Sequence, residues 1–174
     1  MDNESITIEL RPVRPEDDAF LVTVYAGTRE DELAMTPWDA AQREAFVKFQ
    51  FAAQQCFYQT EYPRARHQVI LLGDDRVGRL YVDRRADEIR ILDLTLLPEH
   101  RGRGIGSPLI ERLKGEAAVA GKPLTISLEN FNRSRRLFER LGFAPASENG
   151  FHILYEWKPA AAQPETSRKE TIHG

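Results

Sequence analysis

Arg101-Gly102-Arg103-Gly104-Ile105-Gly106 separates an apolar run ending at Leu97 from an amphipathic segment in which Ile105, Leu109, Leu113, Ala117 and Ala120 recur on one side. Proline fits the first turn of a helix, where its missing N–H has no intrahelical partner, so Pro108 sets the helix start at about Gly104. Gly121 follows the last apolar position, as expected at a helix end. The glycine-rich turn therefore lies between the end of a strand and a helix N-terminus, where unpaired N–H groups and the helix dipole offer an anion site. Glycines let a phosphate approach the backbone, and Arg101 and Arg103 add positive charge. Two commoner phosphate motifs are excluded by spacing. GxxxxGK[ST] is absent, and the third glycine of GxGxxG is replaced by Ser107 or Leu109, depending on the pair chosen.

Residues 88–97 (EIRILDLTLL) before the turn and 123–128 (PLTISL) beyond the helix read as strands. With the helix between them they form a βαβ unit, which predicts parallel strands, a right-handed crossover and a ligand at their carboxyl ends. Upstream, residues 67–72 (HQVILL) and 77–82 (VGRLYV) join 88–97 through short polar links, as in an antiparallel meander. Residues 6–13 (ITIELRPV) alternate as a first strand, and Pro15 with Glu16, Asp17 and Asp18 opens a helix through Tyr25. A second helix is expected to open at Thr36-Pro37 and to run to Tyr62-Pro63. Its apolar positions Ala45, Phe46, Phe49, Ala52, Ala53, Cys56 and Phe57 predict one buried face. Residues 132–141 read as a helix ended by Gly142, and 151–157 as the last strand, with a further short strand around 143–146. The order βααβββαβαβ predicts a mixed α/β domain over residues 1–158. Residues 159–174, with Ile172 as the only sizeable apolar side chain, read as a flexible tail.

A length of 174 residues suits one domain, and 41% hydrophobic with 29% charged residues excludes a fibrous or disordered chain. No apolar run approaches the roughly 18–20 residues of a membrane span. The opening MDNES is acidic where a signal peptide would be basic. The single Cys56 can form neither an internal disulfide nor a zinc site, so a cytoplasmic setting and no metal are expected. A net charge of −3 argues against nucleic-acid binding, and Arg-Gly-Arg-Gly lacks the longer repeat of an RNA-binding segment. The charge is uneven. Residues 101–140 carry nine Lys and Arg against four Glu, a balance of +5 that leaves −8 elsewhere. Such a basic third suits a phosphorylated ligand, or is simply solvated helix surface.

Arg101 to Gly106 resembles the R/Q-x-x-G-x-G/A segment of the GNAT superfamily of acyl-CoA-dependent N-acyltransferases, and residues 94–100 (LTLLPEH) resemble the strand and Pro-Glu turn leading into it. Residues 132–143 (NRSRRLFERLGF) resemble the superfamily's N-x-[AS]-x-x-L-[YF]-x-x-x-G-F stretch, and the element order agrees from Ile6 to Trp157. The segment 25–38 is further similar to a bacterial subgroup of these proteins. The resemblance implies a GNAT-like α/β fold whose mixed sheet splays between two parallel strands, and acetyl transfer from acetyl-CoA to a small-molecule, peptide or protein amine. Self-association is compatible with an exposed apolar strand near the C-terminus.

The resemblance also implies residue roles. Arg101, Gly102, Arg103, Gly104, Ile105 and Gly106 would receive the pyrophosphate on their N–H groups, with Ser107 at the edge. The pantetheine arm would pair with the backbone at Leu96 and Leu97, after a strand bulge, and the Leu96 N–H would meet the oxyanion. Asn132, Ser134 and Phe138 would line the arm's other side, and Arg135 or Arg136 would reach a phosphate. An amine with pKa near ~10 must lose a proton before it attacks, so a base is required. Asp93, on the strand face of Ile91 and Thr95, is the first candidate, since apolar surroundings raise a carboxyl pKa. It reads equally as a hydrogen-bonded structural acid. Glu32, in an acidic run that could attract a cationic acceptor or form a solvated loop, is the second, and Trp38 and Tyr58 could shape the acceptor pocket. Phe138 stands where the superfamily often has a tyrosine that protonates the departing thiolate. That departure keeps a non-catalytic acyl-CoA-binding module as the alternative, and a nucleotide-binding domain uses a similar turn.

Overall fold

The computed structural model describes residues 7–160, so Ile6 and the stretch 161–174 of the expected tail lie outside the described residues. Seven strands form one sheet: β1 (Ile8–Pro12), β2 (Arg66–Leu72), β3 (Asp75–Arg84), β4 (Ile89–Leu96), β5 (Leu124–Glu129), β6 (Ala144–Asn149) and β7 (His152–Trp157), in the order β1-β2-β3-β4-β5-β7-β6. The meander β1 to β4 is antiparallel, and β4 pairs with β5 in parallel through α4 (Gly106–Ala120). The expected element order and mixed sheet are both present. One correction concerns the C-terminal strand. It inserts between β5 and β6 with Ile153 and Tyr155 buried, so the sheet edge is β6 and no apolar strand is exposed there.

One sheet face carries Leu80, Val82, Ile91 and Ile126 against Leu109, Ile110, Leu113 and Ala117 of α4. Each of the Leu, Val and Ile side chains contributes roughly 1.5–3 kcal/mol on full burial. The other face is covered by α1 (Asp18–Gly27), a short α2 (Glu30–Ala34) and α3 (Ala40–Glu61), which share a cluster of Leu21, Tyr25, Leu33, Val47 and Phe51. Helix α3 starts later than expected. Its N-cap is Asp39, whose side chain accepts from the Gln42 N–H while Gln42 reaches back to the Asp39 N–H. This reciprocal pairing outweighs the Thr36-Pro37 signal. The face of α3 is also corrected: Val47 and Phe51 are buried, whereas Ala45, Phe49, Ala52, Ala53, Cys56 and Phe57 are exposed. The last helix, α5 (Arg135–Arg140), is shorter than expected, because Asn132 Oδ1 accepts from the Ser134 N–H and holds a turn ahead of it. No helix among the described residues is long and apolar enough to cross a membrane.

Candidate active site

Strands β4 and β5 pair only over Ile89–Ile91 and Leu124–Ile126, then separate. The register of β4 against β3 shifts at the same place: Ile91 faces Val82 and Asp93 faces Tyr81, leaving Leu92 as the extra residue of a bulge. The Tyr58 hydroxyl, from α3, donates to the Leu92 carbonyl at 3.1 Å. Burial, then the nearby Asp93 charge, push the Tyr58 hydroxyl pKa upward, so it remains a donor. The bulge expected near Leu96 thus lies at Leu92. It also reverses the side-chain alternation, so Asp93 and Thr95 share a face with Arg79 and Tyr81, while Ile91 lies on the opposite one.

A cleft of about 960 Å³ fills the gap between the separated strands and extends to the glycine turn. Thr95 is paired with Arg79, and the Leu97 N–H donates to the Val77 carbonyl at 2.8 Å. By the alternation of an antiparallel ladder, the backbone groups of Leu94 and Leu96 then face away from β3, into the cleft. The Leu96 backbone therefore faces the cleft. That of Leu97 does not: its N–H belongs to the sheet and its side chain is buried.

Gly102 and Gly104 adopt positive φ, 71° and 76°, and a Cβ on either would meet nothing within 4 Å. These glycines serve backbone conformation rather than close packing. Among the described residues, no N–H of residues 102–107 donates to a protein acceptor outside the helix. Gly102, Gly104, Ile105, Gly106 and Ser107 line the cleft, and Arg103 is exposed outside it. The Arg101 guanidinium turns back, donating to the carbonyls of Leu96 at 3.3 Å and Gly27 at 3.1 Å, so it ties the turn to β4 and α1. These N–H groups, beside a strand edge whose Leu94 and Leu96 N–H groups face the cleft, fit the pyrophosphate and amide-bearing arm of a CoA ester. Asn132 and Ser134 line the opposite wall. Arg135 does not reach it, because its Nε donates to the Tyr155 hydroxyl at 2.8 Å and its Nη1 to the Asn130 carbonyl. Phe138 touches the cleft from the core, 1% exposed and edge-on to Phe143. Tyr155 is fully buried with its hydroxyl donating to Glu139 at 3.3 Å, so it does not replace a tyrosine at Phe138.

Asp93 lines the cleft, but its surroundings are not apolar. The 1% exposed Arg79 donates to Asp93 Oδ2 through Nε at 2.9 Å and through Nη2, and Thr95 Oγ1 donates to Oδ1. Gln54 and Gln55 of α3 accept from Arg79 Nη2 and Nη1. The sequence reading passed over Arg79. Its strand is buried on both faces, and an arginine in an alternating pattern reads as solvent-facing; only the register puts it beside Asp93. Glu32 lies at the mouth, half exposed, accepting from Arg29 at 3.0 Å. Arg29 also approaches Glu129 of β5 at 3.7 Å, and Arg133 bonds Asp31 at 2.9 Å, so two ion pairs span the mouth. Tyr58 lines the floor. Trp38 does not line the cleft but packs against Phe46, 4.9 Å between ring centroids.

Residues 63–145 match the family model of the acetyltransferase (GNAT) domain. A search of curated proteins gives no match. Among solved structures, the chain is similar to the PaiA N-acetyltransferase from Thermoplasma acidophilum in complex with coenzyme A, with TM-score 0.67, 16% identity and coverage of 88% of this chain and 99% of that one. An acetyltransferase from Thermus thermophilus gives 0.63 at 22% identity, over 88% and 97% of the two chains. The ribosomal-protein-S18-alanine N-acetyltransferase from Escherichia coli gives 0.57 at 16%, over 97% and 100%. At these identities the likeness is one of fold.

Proposed function

We propose that this chain, whose residues 63–145 match the GNAT acetyltransferase domain model, is an acyl-CoA-dependent N-acetyltransferase that uses acetyl-CoA and acetylates a primary amine by direct attack on the thioester in the cleft between β4 and β5. The observation that carries this reading is the conjunction, in one cleft, of the glycine turn at Gly102 and Gly104–Ser107 and the cleft-facing N–H groups of Leu94 and Leu96. Acetyl-CoA supplies an activated acyl group. In our reading residues 102–107 hold the pyrophosphate, and the Leu96 N–H donates to the carbonyl oxygen as negative charge develops on it. Asn132 and Ser134 bound the arm.

The acceptor enters past Glu30, Asp31 and Glu32, whose carboxylates favour a cationic amine, small or at the end of a peptide. Asp93, oriented by Arg79 and Thr95, takes the amine's proton directly or through a water. No side-chain acid is assigned to the thiolate. A thiol of pKa about 8.5 leaves adequately near neutral pH, so Phe138 is compatible with turnover. A reducing, cytoplasmic setting fits the single exposed Cys56.

Calorimetric titration with acetyl-CoA, with ATP and NAD as controls, tests the cleft, followed by turnover against a panel of amines. Gly106→Asp is the sharper probe. Gly106 opens α4 without positive φ and its Cβ would meet Leu137 at an ordinary 3.5 Å, so the fold should tolerate the change. A carboxylate there suits the helix dipole yet repels phosphate, so acetyl-CoA affinity should fall at least ten-fold with the melting temperature held or raised. Unchanged affinity would reject the assigned turn.

A further inference from the structure

Arginines gather in a second concavity away from the cleft. On the α4 side of the sheet, where β3 ends, an open hollow of about 540 Å³ is lined by Arg64, Arg66, Val82, Arg84 and Glu116. Arg66 of β2 lies directly opposite Val82 of β3, and Arg84 is two residues beyond Val82, so the three side chains share one sheet face. Val82, 1% exposed and part of the core under α4, closes the floor. Arg64 reaches the hollow from the turn between α3 and β2, and Glu116 reaches it from α4. The hollow shares no lining residue with the cleft. Gly78, opposite Leu96 beside the cleft, is six residues or about 20 Å along β3 from Arg84.

The charges in the hollow do not cancel. Arg84 donates through Nη2 to Glu116 Oε2 at 3.0 Å and through Nε to Oε1, a two-point pairing that occupies the one carboxylate present. That pairing, with the charge of Arg66 at longer range, holds the Glu116 carboxyl pKa below its usual value, so Arg66 stands near the same pair. The side chains of Arg64 and Arg66 make no ion pair or hydrogen bond among the described residues. Three guanidiniums brought from three separate segments around one concavity repel one another, which a bound anion relieves. Two positive charges and their planar N–H donors are left for it, in the geometry that suits phosphate. An apolar ligand is ruled out by a lining that is charged at four of its five residues. A nucleic acid is disfavoured by the net charge of −3. A phosphomonoester, with a charge of about −1.5 to −2 at neutral pH, matches the two free arginines.

We infer that the hollow among Arg64, Arg66 and Arg84 is a second anion site, which takes the phosphoryl dianion of a small phosphorylated metabolite and is separate from the acetyl-CoA cleft. Phenyl phosphate is the probe, and phenyl sulfate, of similar shape but with a single charge, is the control. In a heteronuclear NMR titration of the full chain at pH about 7.5, the Arg64 and Arg66 Nε–Hε signals should shift saturably with phenyl phosphate over about 0.1–10 mM, with roughly ten-fold weaker binding of phenyl sulfate. The phosphate loses its second charge as pH falls through about 6, so affinity should drop between pH 7.5 and pH 5 while the arginines stay charged. The same shifts are expected with and without acetyl-CoA, so they persist even if the cleft takes no CoA ester. Arg66 is exposed, and Arg66→Gln should keep the melting temperature while weakening phenyl phosphate roughly ten-fold. Absent or non-saturating arginine shifts overturn the site. Equal binding of the sulfate, unchanged affinity in Arg66→Gln, or loss of the shifts when acetyl-CoA is added does so too.

Discussion

Arg79 and Asp93 form a nearly buried ion pair, which is costly to break from one side because the remaining charge keeps its desolvation penalty. Asp93→Asn is therefore expected to destabilise the protein by about 3 kcal/mol and to lower the amine-dependent rate far more than acetyl-CoA affinity. Arg79→Gln together with Asp93→Asn should recover most of the stability but not the rate. Thermal melts and steady-state kinetics separate the effects, and full activity in the double variant would remove Asp93 from proton transfer. His67 supplies a second residue-scale effect. It stacks on Tyr81 at 4.3 Å with Nε2 buried and unpartnered, and burial, with Arg79 nearby, lowers its pKa to about 4. The unfolded imidazole titrates near 6.5, so as pH falls below that value only the unfolded chain takes up the proton. Stability should decline from about pH 6.5 to about pH 4 and level off there as far as His67 is concerned. His67→Phe keeps the stack and should flatten that part of a denaturant-derived stability profile; parallel profiles would exclude His67 as the cause.

At the scale of elements, the active cleft depends on how β4 is held. Beyond Ile91 it loses β5 as a neighbour, and its position then rests on β3, on Tyr58 at the Leu92 bulge and on Arg101 at Leu96. Gly78 permits the β3 contact. A Cβ there would lie 2.3 Å from the Thr95 carbonyl oxygen and 3.0 Å from Leu96 Cα, both backbone atoms. Gly78→Ala should thus push β4 away from β3 at the site, costing upward of about 2 kcal/mol and lowering acetyl-CoA affinity. Chemical denaturation with ligand titration checks both, and a wild-type value in each would mean that the two strands tolerate separation. Little of this was legible beforehand. Residues 77–82 read as a strand with no role for its glycine, whose necessity comes from a neighbour found only through the register.

Across the whole molecule, the two apolar layers meet at a sheet that is continuous at one end of β4 and β5 and open at the other. The open end exposes N–H groups that exchange freely until a ligand accepts from them. Acetyl-CoA should accordingly slow hydrogen exchange over residues 94–97 and 102–107 while leaving the buried β2 and β3 nearly unchanged. Mass-spectrometric exchange reads this directly, and protection confined to the hollow among Arg64, Arg66, Arg84 and Glu116 would move the binding site elsewhere.

The sequence by itself determined the helix that opens at the glycine turn and the parallel pair on either side of it, because these follow from local rules. Proline tolerance, glycine dihedrals, strand alternation and helix polarity each act within a few residues. Tertiary structure alone decided the rest. Periodicity located the apolar stripe of α3 but could not say which side the sheet would take; the contacts of Gln54, Gln55 and Tyr58 with Arg79 and Leu92 turned it outward. One extra residue at Leu92 reversed the faces that simple alternation assigned, and pairing between distant strands inserted β7 beside β5 and placed Asp93 against Arg79. Such outcomes depend on register and on which side chains meet across long loops, and a one-residue shift exchanges every face.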